Sequence, residues 1–284
     1  MNIQRGAIVG LGLMGASMAS LITQRYPDTQ WWGIEPNPAH AKLIQTQNQQ
    51  IQVLSQITDL PQTLDLVLIC SPIDQIPDNI HALDHHIKSE VLISDIGSIK
   101  QGIISQIKPL KSDHYYLPGH PMAGRTHTGP EHSSPDLLKK AVYFLIHENK
   151  VPEKIRTSFE SWLSGLSFQV TWTSASEHDQ LMALTSHFPY LISVLTTLVA
   201  NNSPIMSTKG IGPGFQGITR LAGSSVDWGT QVCQANAQSL LPLLTELIQS
   251  AQTLKAQIQD QEWPQVAAQL EQANQARSKF CPHT

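Results

Sequence analysis

Residues 5–22 read RGAIVGLGLMGASMASLI, and residues 31–35 read WWGIE. The short apolar run from Ala7 to Val9 predicts a buried strand that ends at Gly10. After the glycines, the apolar positions Met14, Met18 and Leu21 follow helical spacing. A strand, a glycine-rich turn and a helix in this order form the first half of a dinucleotide-binding unit.

The glycines of this turn have the spacing G-x-G-x-x-G. Gly10 allows the tight turn, Gly12 lets a pyrophosphate approach the backbone, and Gly15 lets the helix pack against the strand. The phosphates would then bind at the N-terminus of the helix, where free N–H groups favour negative charge. We therefore predict an α/β Rossmann-type N-terminal domain that binds its cofactor through Gly10, Gly12, Leu13, Met14 and Gly15.

Glu35 follows a second predicted strand, at residues 30–34, and lies 20 residues after Gly15. A carboxylate at this place accepts hydrogen bonds from the ribose hydroxyls of NAD and repels the 2′-phosphate of NADP. Neither Arg nor Lys follows in Pro36-Asn37-Pro38, so the sequence favours NAD over NADP. The alternative is that Glu35 simply starts the next helix.

Polar residues follow several predicted strands, where ligands bind in open α/β sheets. Ser71 and Pro72 follow a buried strand at 65–70, and Ser98 follows a strand at 90–95. His120 follows a strand at 115–117 and lies in a turn framed by glycine and proline. Ser98 has two compatible interpretations, as the N-cap of a helix that reaches about Lys108 or as a hydroxyl in the cleft.

Beyond residue 173 the sequence shows helical patterns and no convincing strand. We predict domains at 1–173 and 174–284, the second all-α, with long helices at 177–200 and at 228–259, the latter kinked or restarted at Pro242. A domain this small buries little of its own surface, and these helices are apolar. We therefore expect the chain to form a homodimer through its C-terminal helices.

Composition limits the class of protein. The chain has 284 residues, a net charge of −4 and three cysteines without a C-x-x-C pair. These values predict a reduced, cytoplasmic protein with no nucleic-acid partner and no metal site. A signal peptide or membrane segment at residues 6–22 is disfavoured, because the run holds four glycines and is shorter than the about 18 apolar residues that a membrane-spanning helix needs.

Oxidation of an alcohol by NAD requires a base for the hydroxyl proton, and an anionic substrate requires Arg or His partners. His120 and Ser98 are candidates because each follows a strand. His187 lies on the first long helix, and Arg220 is an isolated cation in a glycine-rich, uncharged stretch. The alternatives are that His187 is a core histidine whose hydrogen bonds are all satisfied and that Arg220 is an ordinary surface charge.

These motifs together resemble the prephenate/arogenate dehydrogenase family of tyrosine biosynthesis, over essentially the whole chain. The shared motifs are GLGLMG from Gly10, CSPI from Cys70, SDIGSIK from Ser94, GHPMAG from Gly119, EHD from Glu177, SHFP from Ser186 and GFQGITR ending at Arg220. The GHPMAG motif is highly specific. The order of the motifs makes coincidence improbable.

The resemblance implies oxidative decarboxylation of a cyclohexadienol by NAD. His120 matches the catalytic histidine that takes the proton of the ring 4-hydroxyl, and Ser98 matches a serine that orients the same hydroxyl. Arg220 matches an arginine that binds a substrate carboxylate, and His187 matches a second substrate-binding histidine. The family also implies a Rossmann domain followed by a helical, dimerising domain.

One departure from the family pattern concerns the substrate. Many relatives carry an acidic residue after GHPMAG, next to the substrate side chain, whereas this chain has Arg125 and Thr126. Arg125 suits an anionic side chain and lacks the carboxylate that would favour the ammonium group of arogenate. The sequence therefore leans slightly to prephenate and leaves both substrates open.

Two other functions are compatible with the same fold. A 3-hydroxyisobutyrate-type dehydrogenase also favours G-L-G-x-M-G, but Lys209 lacks the asparagine of that family's G-x-x-x-K-x-x-N setting, and GHPMAG stays unexplained. An NAD-sensing or scaffold protein would have little reason to keep His120, Ser98, His187 and Arg220 together.

Overall fold

The computed structural model describes residues 3–147 and 150–281. The chain forms two compact units, Met1–Ala237 and Gln238–Thr284. This division lies further along the chain than the predicted boundary near residue 173, where strands give way to helices. The domain limits 1–173 and 174–284 stay a prediction.

Six parallel strands form one sheet in the order β3-β2-β1-β4-β5-β6. The strands are β1 (Arg5–Val9), β2 (Gln30–Ile34), β3 (Ile51–Leu54), β4 (Leu66–Ile69), β5 (Val91–Asp95) and β6 (His114–Tyr116). The connecting helices are α1 (Leu13–Arg25), α2 (Pro38–Gln47), α3 (Ile76–His86) and α4 (Gln101–Ile104). The strand order reverses between β1 and β4, as in Rossmann folds, so the predicted fold class is confirmed.

Alternate residues of the central strands face two separate cores. Ile8 of β1 and Leu68 of β4 belong to one apolar cluster with Ile22 of α1. Val9 and Val67 belong to the other, which α3 covers. Because both faces are covered, β4 and β5 are buried throughout, which explains the continuous apolar sequence of β4 and of the first three residues of β5.

The helix predicted after Ser98 is shorter than expected. It extends only over Gln101–Ile104, not to Lys108. The side chains of Ser105 and Gln106 both donate to the carbonyl of Gly102, at 3.1 and 2.7 Å. The backbone N–H of Gln106 turns instead to Ile103, which ends the helix.

A second, three-stranded sheet contains β7 (Gly119–Pro121), β8 (Val142–Ile146) and β9 (Gln169–Thr173), with α5 (Glu153–Gly165) between β8 and β9. Strand β7 is antiparallel to β8, and β8 is parallel to β9. His120 pairs with Phe144, so it lies in a short strand and the predicted turn is wrong. Gly and Pro have low strand propensity, so the local sequence does not predict β7. The strand forms because it pairs with the distant β8.

The chain then becomes helical, with an irregular turn at a functional candidate. Helix α6 (Ala175–Met182) passes through a π-helical turn (Ala183–His187) into α7 (Phe188–Asn201), where a single helix was expected. Pro189 lacks the N–H that would bond to Thr185 in a regular helix. His187 therefore ends a widened turn of the kind often found at functional sites.

Among the residues that the structure describes, the stretch Ala175–Asn201 is long and apolar enough to span a membrane, judged by length and composition alone. Its most apolar window has a mean hydropathy of 1.4 and is 22% buried. The same stretch carries His178, Asp179 and His187, all three buried. Its exposed apolar side chains include Leu181, Leu184, Leu195, Leu198 and Val199.

The remaining helices of the first unit are α8 (Pro213–Thr219) and α9 (Val226–Ala235), with a 3₁₀ turn at Arg220–Gly223 between them. The second unit consists of α10 (Ala237–Gln259), apart from its first residue, and α11 (Trp263–Phe280). A new helix starting at Pro242 is wrong, because Pro242 lies inside α10 and the helix breaks at Asn236 instead. The kink at Pro242 stays a prediction. The side chain of Asn236 is buried in polar contacts described below.

Candidate active site

The glycine-rich turn between β1 and α1 has the features that a dinucleotide requires. Gly10 has a φ of 90°, and a Cβ there would lie 2.8 Å from the backbone nitrogen of Ser71. A Cβ on Gly15 would collide with the carbonyl oxygen of Gly10. At Gly12 a Cβ would meet nothing within 4 Å, and no side chain caps the N-terminus of α1. The turn is thus closed on the protein side and open where a pyrophosphate would lie.

Glu35 lies at the carboxyl end of β2, beside this turn, since the N–H of Gly10 donates to Ile34 at 3.0 Å. The Glu35 side chain is 9% exposed, and its Oε1 accepts from the N–H of Asn37 at 3.0 Å. Asn37 is the N-cap of α2, so the alternative that Glu35 starts this helix is wrong. Oε1 also lies 3.9 Å from Nδ1 of His40, whereas no hydrogen bond from the described residues reaches Oε2.

The other predicted cofactor contacts lie across the turn. Ser71 is half-buried, and its Oγ accepts from Nδ2 of Asn79 at 2.8 Å. Pro72 is exposed. Ser71 contacts the turn through its backbone, next to Gly10, so the two loops form one edge of the sheet.

A buried hydrogen-bonded chain supports His120. Its Nδ1 lies 2.9 Å from Nε2 of His178, and Nδ1 of His178 lies 2.8 Å from Oδ1 of Asp179. The Asp179 carboxylate also accepts from the backbone N–H groups of Lys100 and Gln101, at 2.7 and 2.8 Å. His120 is 8% exposed, and among the described residues nothing hydrogen-bonds its Nε2. The chain therefore leaves one ring nitrogen of His120 for a ligand.

Asp179, and not Ser98, caps the N-terminus of α4. Asp179, 79 residues after Lys100, takes the N–H groups at the start of the helix. Ser98 makes no capping bond, and its Oγ is buried without a partner in the described part of the protein. Of the two interpretations of Ser98, the N-cap is wrong. An orphaned buried hydroxyl is a candidate for a ligand contact.

Lys100 connects the Ser98 loop to the strand of His120. It is fully buried, and its Nζ donates to Oδ2 of Asp95 and, at 2.7 Å, to the carbonyl of Gly119. Asp95 also accepts from the hydroxyl of Tyr116, at 2.8 Å. Burial lowers the pKa of Lys100, while the neighbouring Asp95 carboxylate opposes that change. The sequence analysis assigned no role to the Asp95–Lys100 pair. The two opposite charges within the motif SDIGSIK could have indicated it.

His187 is completely buried, and only one of its two ring nitrogens has a hydrogen-bond partner among the described residues. Its Nδ1 lies 3.2 Å from Nδ2 of Asn236, which also donates to the backbone carbonyl of Asp179 at 2.8 Å. Its Nε2 is buried without a partner in residues 3–147 and 150–281. The alternative of a fully satisfied core histidine is therefore wrong. Sequence reasoning also missed Asn236, which no motif marks.

Burial keeps both histidines neutral. Burial lowers the pKa of His120 well below 6.5, and His178, Lys100 and His187 lower it further. Burial likewise lowers the pKa of His187 to about 4, with a smaller contribution from His178 and an opposing one from Asp179.

The remaining candidates for substrate binding lie outside the hydrogen-bonded series His120–His178–Asp179. Arg220 is exposed and is the first residue of the 3₁₀ turn after α8. This turn contacts α7, because the N–H of Ala222 donates to Oγ of Ser193 at 2.8 Å. Arg125 is exposed and Thr126 is half-buried, in the loop after β7. Among the described residues no carboxylate pairs with Arg220. The structure leaves these three side chains available without joining them to His120.

The low pKa values predict a specific pH dependence of stability. In the unfolded chain His187 titrates near 6.5, so the unfolded state binds more protons than the folded state between pH 6.5 and about 4. The free energy of unfolding should fall as pH drops through this window, by about 3 kcal/mol from His187 alone. Urea unfolding at pH 7.5, 6.0, 5.0 and 4.0 measures this loss.

The matched variant for this prediction is His187→Asn, which removes the titrating ring. Its free energy of unfolding should depend less steeply on pH than that of the parent. Equal pH slopes for the two proteins would contradict a neutral, buried His187.

No cluster of three or more His, Cys, Asp or Glu side chains suited to a metal ion occurs in the described ranges. Within these ranges Cys70 and Cys233 form no disulfide.

Comparison with known proteins gives a consistent result. The family model for "Prephenate dehydrogenase, nucleotide-binding domain" matches residues 18–165, and that for "Prephenate dehydrogenase, dimerization domain" matches residues 174–272. The first match begins after the glycine-rich turn, so the assignment of that turn depends on its geometry.

Curated relatives and solved structures agree with these matches. The chain is 27% identical to cyclohexadienyl dehydrogenase of Zymomonas mobilis, over 95% of this chain and 94% of that one. It is 26% identical to prephenate dehydrogenase of Bacillus subtilis, over 90% and 70%. Among solved structures, prephenate dehydrogenase of A. aeolicus, crystallised with hydroxyphenyl propionate and NAD+, has a TM-score of 0.88 at 21% identity, covering 99% of each chain. Arogenate dehydrogenase of Synechocystis has a TM-score of 0.81 at 24% identity, over 97% and 99%.

Proposed function

This chain belongs to the prephenate dehydrogenase family, and we propose that it catalyses the NAD-dependent oxidative decarboxylation of prephenate to 4-hydroxyphenylpyruvate and CO₂, of arogenate to tyrosine and CO₂, or of both. The observation that carries the proposal is the neutral, buried His120, whose Nε2 is unoccupied by any described residue. Membership of this family also displaces the 3-hydroxyisobutyrate-type alternative.

NAD, when bound, supplies the hydride acceptor for this oxidation. The open backbone at Gly12 and the uncapped N-terminus of α1 fit its pyrophosphate, with Leu13 and Met14 in the first turn. Glu35 would accept hydrogen bonds from the adenosine ribose, and Ser71 and Pro72 would border the cofactor. A buried carboxylate at this position disfavours the 2′-phosphate of NADP.

His120 and Ser98 would act on the ring hydroxyl. His120 takes the hydroxyl proton at Nε2 as the C–H bond breaks, and it is uncharged beforehand because burial lowers its pKa. The orphaned Oγ of Ser98 holds the same hydroxyl. Loss of CO₂ then aromatises the ring, so the protein has chiefly to orient the substrate and accept one proton.

The carboxylates of the substrate require donors. Arg220 is a free cation on the surface of the same unit, and His187 offers a buried nitrogen without a partner. Arg125 and Thr126 follow the His120 strand and would border the substrate side chain. Arg125 favours the anionic keto acid, prephenate, over the ammonium group of arogenate.

The C-terminal helices would form a homodimer. The exposed apolar residues of Ala175–Asn201 lie within the region matched by the dimerisation-domain model, as does α10. An apolar face of this kind is stable in water when another surface covers it, and a second copy of the chain is that surface. With three widely separated cysteines and no C-x-x-C pair in the sequence, we further propose a cytoplasmic enzyme.

The test of the function is an absorbance assay of reduced cofactor with purified protein. Prephenate and arogenate are each assayed with NAD and with NADP. Turnover with NAD is expected, and the ratio of kcat/KM values assigns the substrate. Turnover with NADP alone would overturn the role of Glu35. Folded protein that binds NAD but turns over neither substrate would favour the sensor or scaffold alternative.

Arg220→Ala should mainly raise the KM for substrate, because lost binding that is equal in the ground and transition states leaves kcat unchanged. Loss of a charge-assisted bond to a carboxylate corresponds to about a tenfold or larger increase in KM. Steady-state kinetics at saturating NAD measure this effect. Lys209→Ala, a nearby exposed cation, is the matched control. A change confined to NAD affinity would place Arg220 in the other site.

A further inference from the structure

We propose that Asp179 sets the tautomers of His120 and His187 in opposite senses, so that His120 presents a lone pair and His187 presents an N–H to the same substrate. Asp179, His178 and Asn236 are then positioning residues, and none of the three contacts the reacting atoms. The catalytic consequence rests on the proposed function, whereas the tautomers themselves do not.

The first arm runs through the side chain of Asp179. A carboxylate that receives the N–H groups of Lys100 and Gln101 is an acceptor only, so Nδ1 of His178 must carry the proton in their 2.8 Å bond. We assign His178 this single proton, which leaves a lone pair on Nε2. His120 lies 2.9 Å from that nitrogen through Nδ1, so its proton is on Nδ1. Nε2 of His120 is left as the acceptor.

The second arm runs through the backbone of Asp179. Its carbonyl oxygen can only accept, and it lies 2.8 Å from Nδ2 of Asn236, which fixes the orientation of that amide. The same NH₂ group faces Nδ1 of His187 at 3.2 Å, so this ring nitrogen must offer a lone pair. A neutral His187 therefore carries its proton on Nε2, the atom that is buried without a partner.

The two arms suit the two demands of the reaction. A hydroxyl that loses its proton needs an acceptor, and a carboxylate or carbonyl oxygen needs a donor. An orphaned buried N–H destabilises the free protein, and a substrate oxygen on Nε2 of His187 recovers that loss. Because both rings are neutral, the site provides one acceptor and one donor without introducing a charge.

Asp179 also couples the two catalytic candidates in space. Its carboxylate holds the start of α4, two residues after Ser98, and orients His120 through His178. A purely structural role as the cap of α4 is the competing explanation. That cap involves only the carboxylate, whereas the tautomer proposal predicts separate effects for His178 and Asn236, which do not cap the helix.

The direct test is ¹⁵N NMR of protein labelled in its histidine side chains, at pH 7.5 and without substrate. His120→Asn and His187→Asn identify the two rings. We expect His120 protonated on Nδ1 and His187 protonated on Nε2. Protonation of His120 on Nε2, or of His187 on Nδ1, would overturn the proposal. This result is independent of turnover, so its failure is distinguishable from failure of the proposed function.

Kinetics provide the second test. His178→Leu removes the acceptor for Nδ1 of His120 and should lower kcat about 10²-fold or more with little change in KM. His178→Gln keeps an oxygen acceptor and should recover most of that loss. Asn236→Leu should instead raise KM, with a smaller effect on kcat, because it frees the His187 tautomer.

NAD affinity and the thermal midpoint, measured for each variant, check that the fold is retained. Equal changes in kcat and KM for His178→Leu and Asn236→Leu, with no rescue by His178→Gln, would show that the network is only structural. A loss of kcat in His178→Leu and a rise of KM in Asn236→Leu, together with the two expected tautomers, would support Asp179 as the residue that gives His120 and His187 different tautomers.

Discussion

Replacement of His120 by Asn is expected to lower kcat about 10²–10⁴-fold, because this is the usual cost of losing a general base. Asn keeps a polar side chain of similar size in β7 but cannot take a proton. NAD affinity should change little, since the glycine-rich turn and Glu35 make no hydrogen bond to His120. Single-turnover measurements with the preferred substrate and a separate NAD titration test both statements.

His85→Asn is the matched control for this variant. His85 is an exposed histidine of α3, and its replacement should leave kcat unchanged. Unaltered turnover in His120→Asn would remove His120 from the mechanism, and so would an equal loss in both variants.

Lys100→Met is expected to lower the free energy of unfolding by about 3–5 kcal/mol, the usual cost of removing one partner of a buried ion pair. The substitution leaves the fully buried Asp95 without its cation and the carbonyl of Gly119 without its donor. Met keeps the length and apolar character of the stem, so the loss reports the charge. Urea unfolding at pH 7.5 measures it.

Two variants control this prediction. Lys139→Met breaks an exposed pair with Asp136 and should change stability by less than about 1 kcal/mol. Asp95→Asn combined with Lys100→Met removes both charges and should recover part of the loss, because the uncompensated carboxylate is gone. A double variant as unstable as Lys100→Met would contradict the charge argument.

Local features of the sequence predicted the N-terminal fold well. The G-x-G-x-x-G spacing, the apolar run at 65–70 and the alternation of strands with helices identified a Rossmann-type α/β domain, and the structure shows that its strand order reverses at β1 and β4. These features are readable because each acts within a few residues. A glycine at a positive φ, or a strand covered on both faces, leaves its mark in the adjacent sequence.

Sequence reasoning failed where distant residues decide a local structure. Ser98 has the chemistry of an N-cap, yet Asp179 caps α4 from 79 residues away. His120 lies in a strand because β8 pairs with it. The break at Asn236, and not at Pro242, coincides with the two hydrogen bonds of its buried amide.

The sequence by itself determined the Rossmann-type domain, the helical C-terminal region and the family, and it proposed His120, Ser98, His187 and Arg220 as site residues. Only the tertiary structure decided which of them are buried, which atoms lack partners, and that Asp179, Lys100 and Asn236 hold the site together. The physical reason is that burial and hydrogen bonding between distant residues set the pKa and tautomer of a histidine, and neither property is encoded within a window of neighbouring residues.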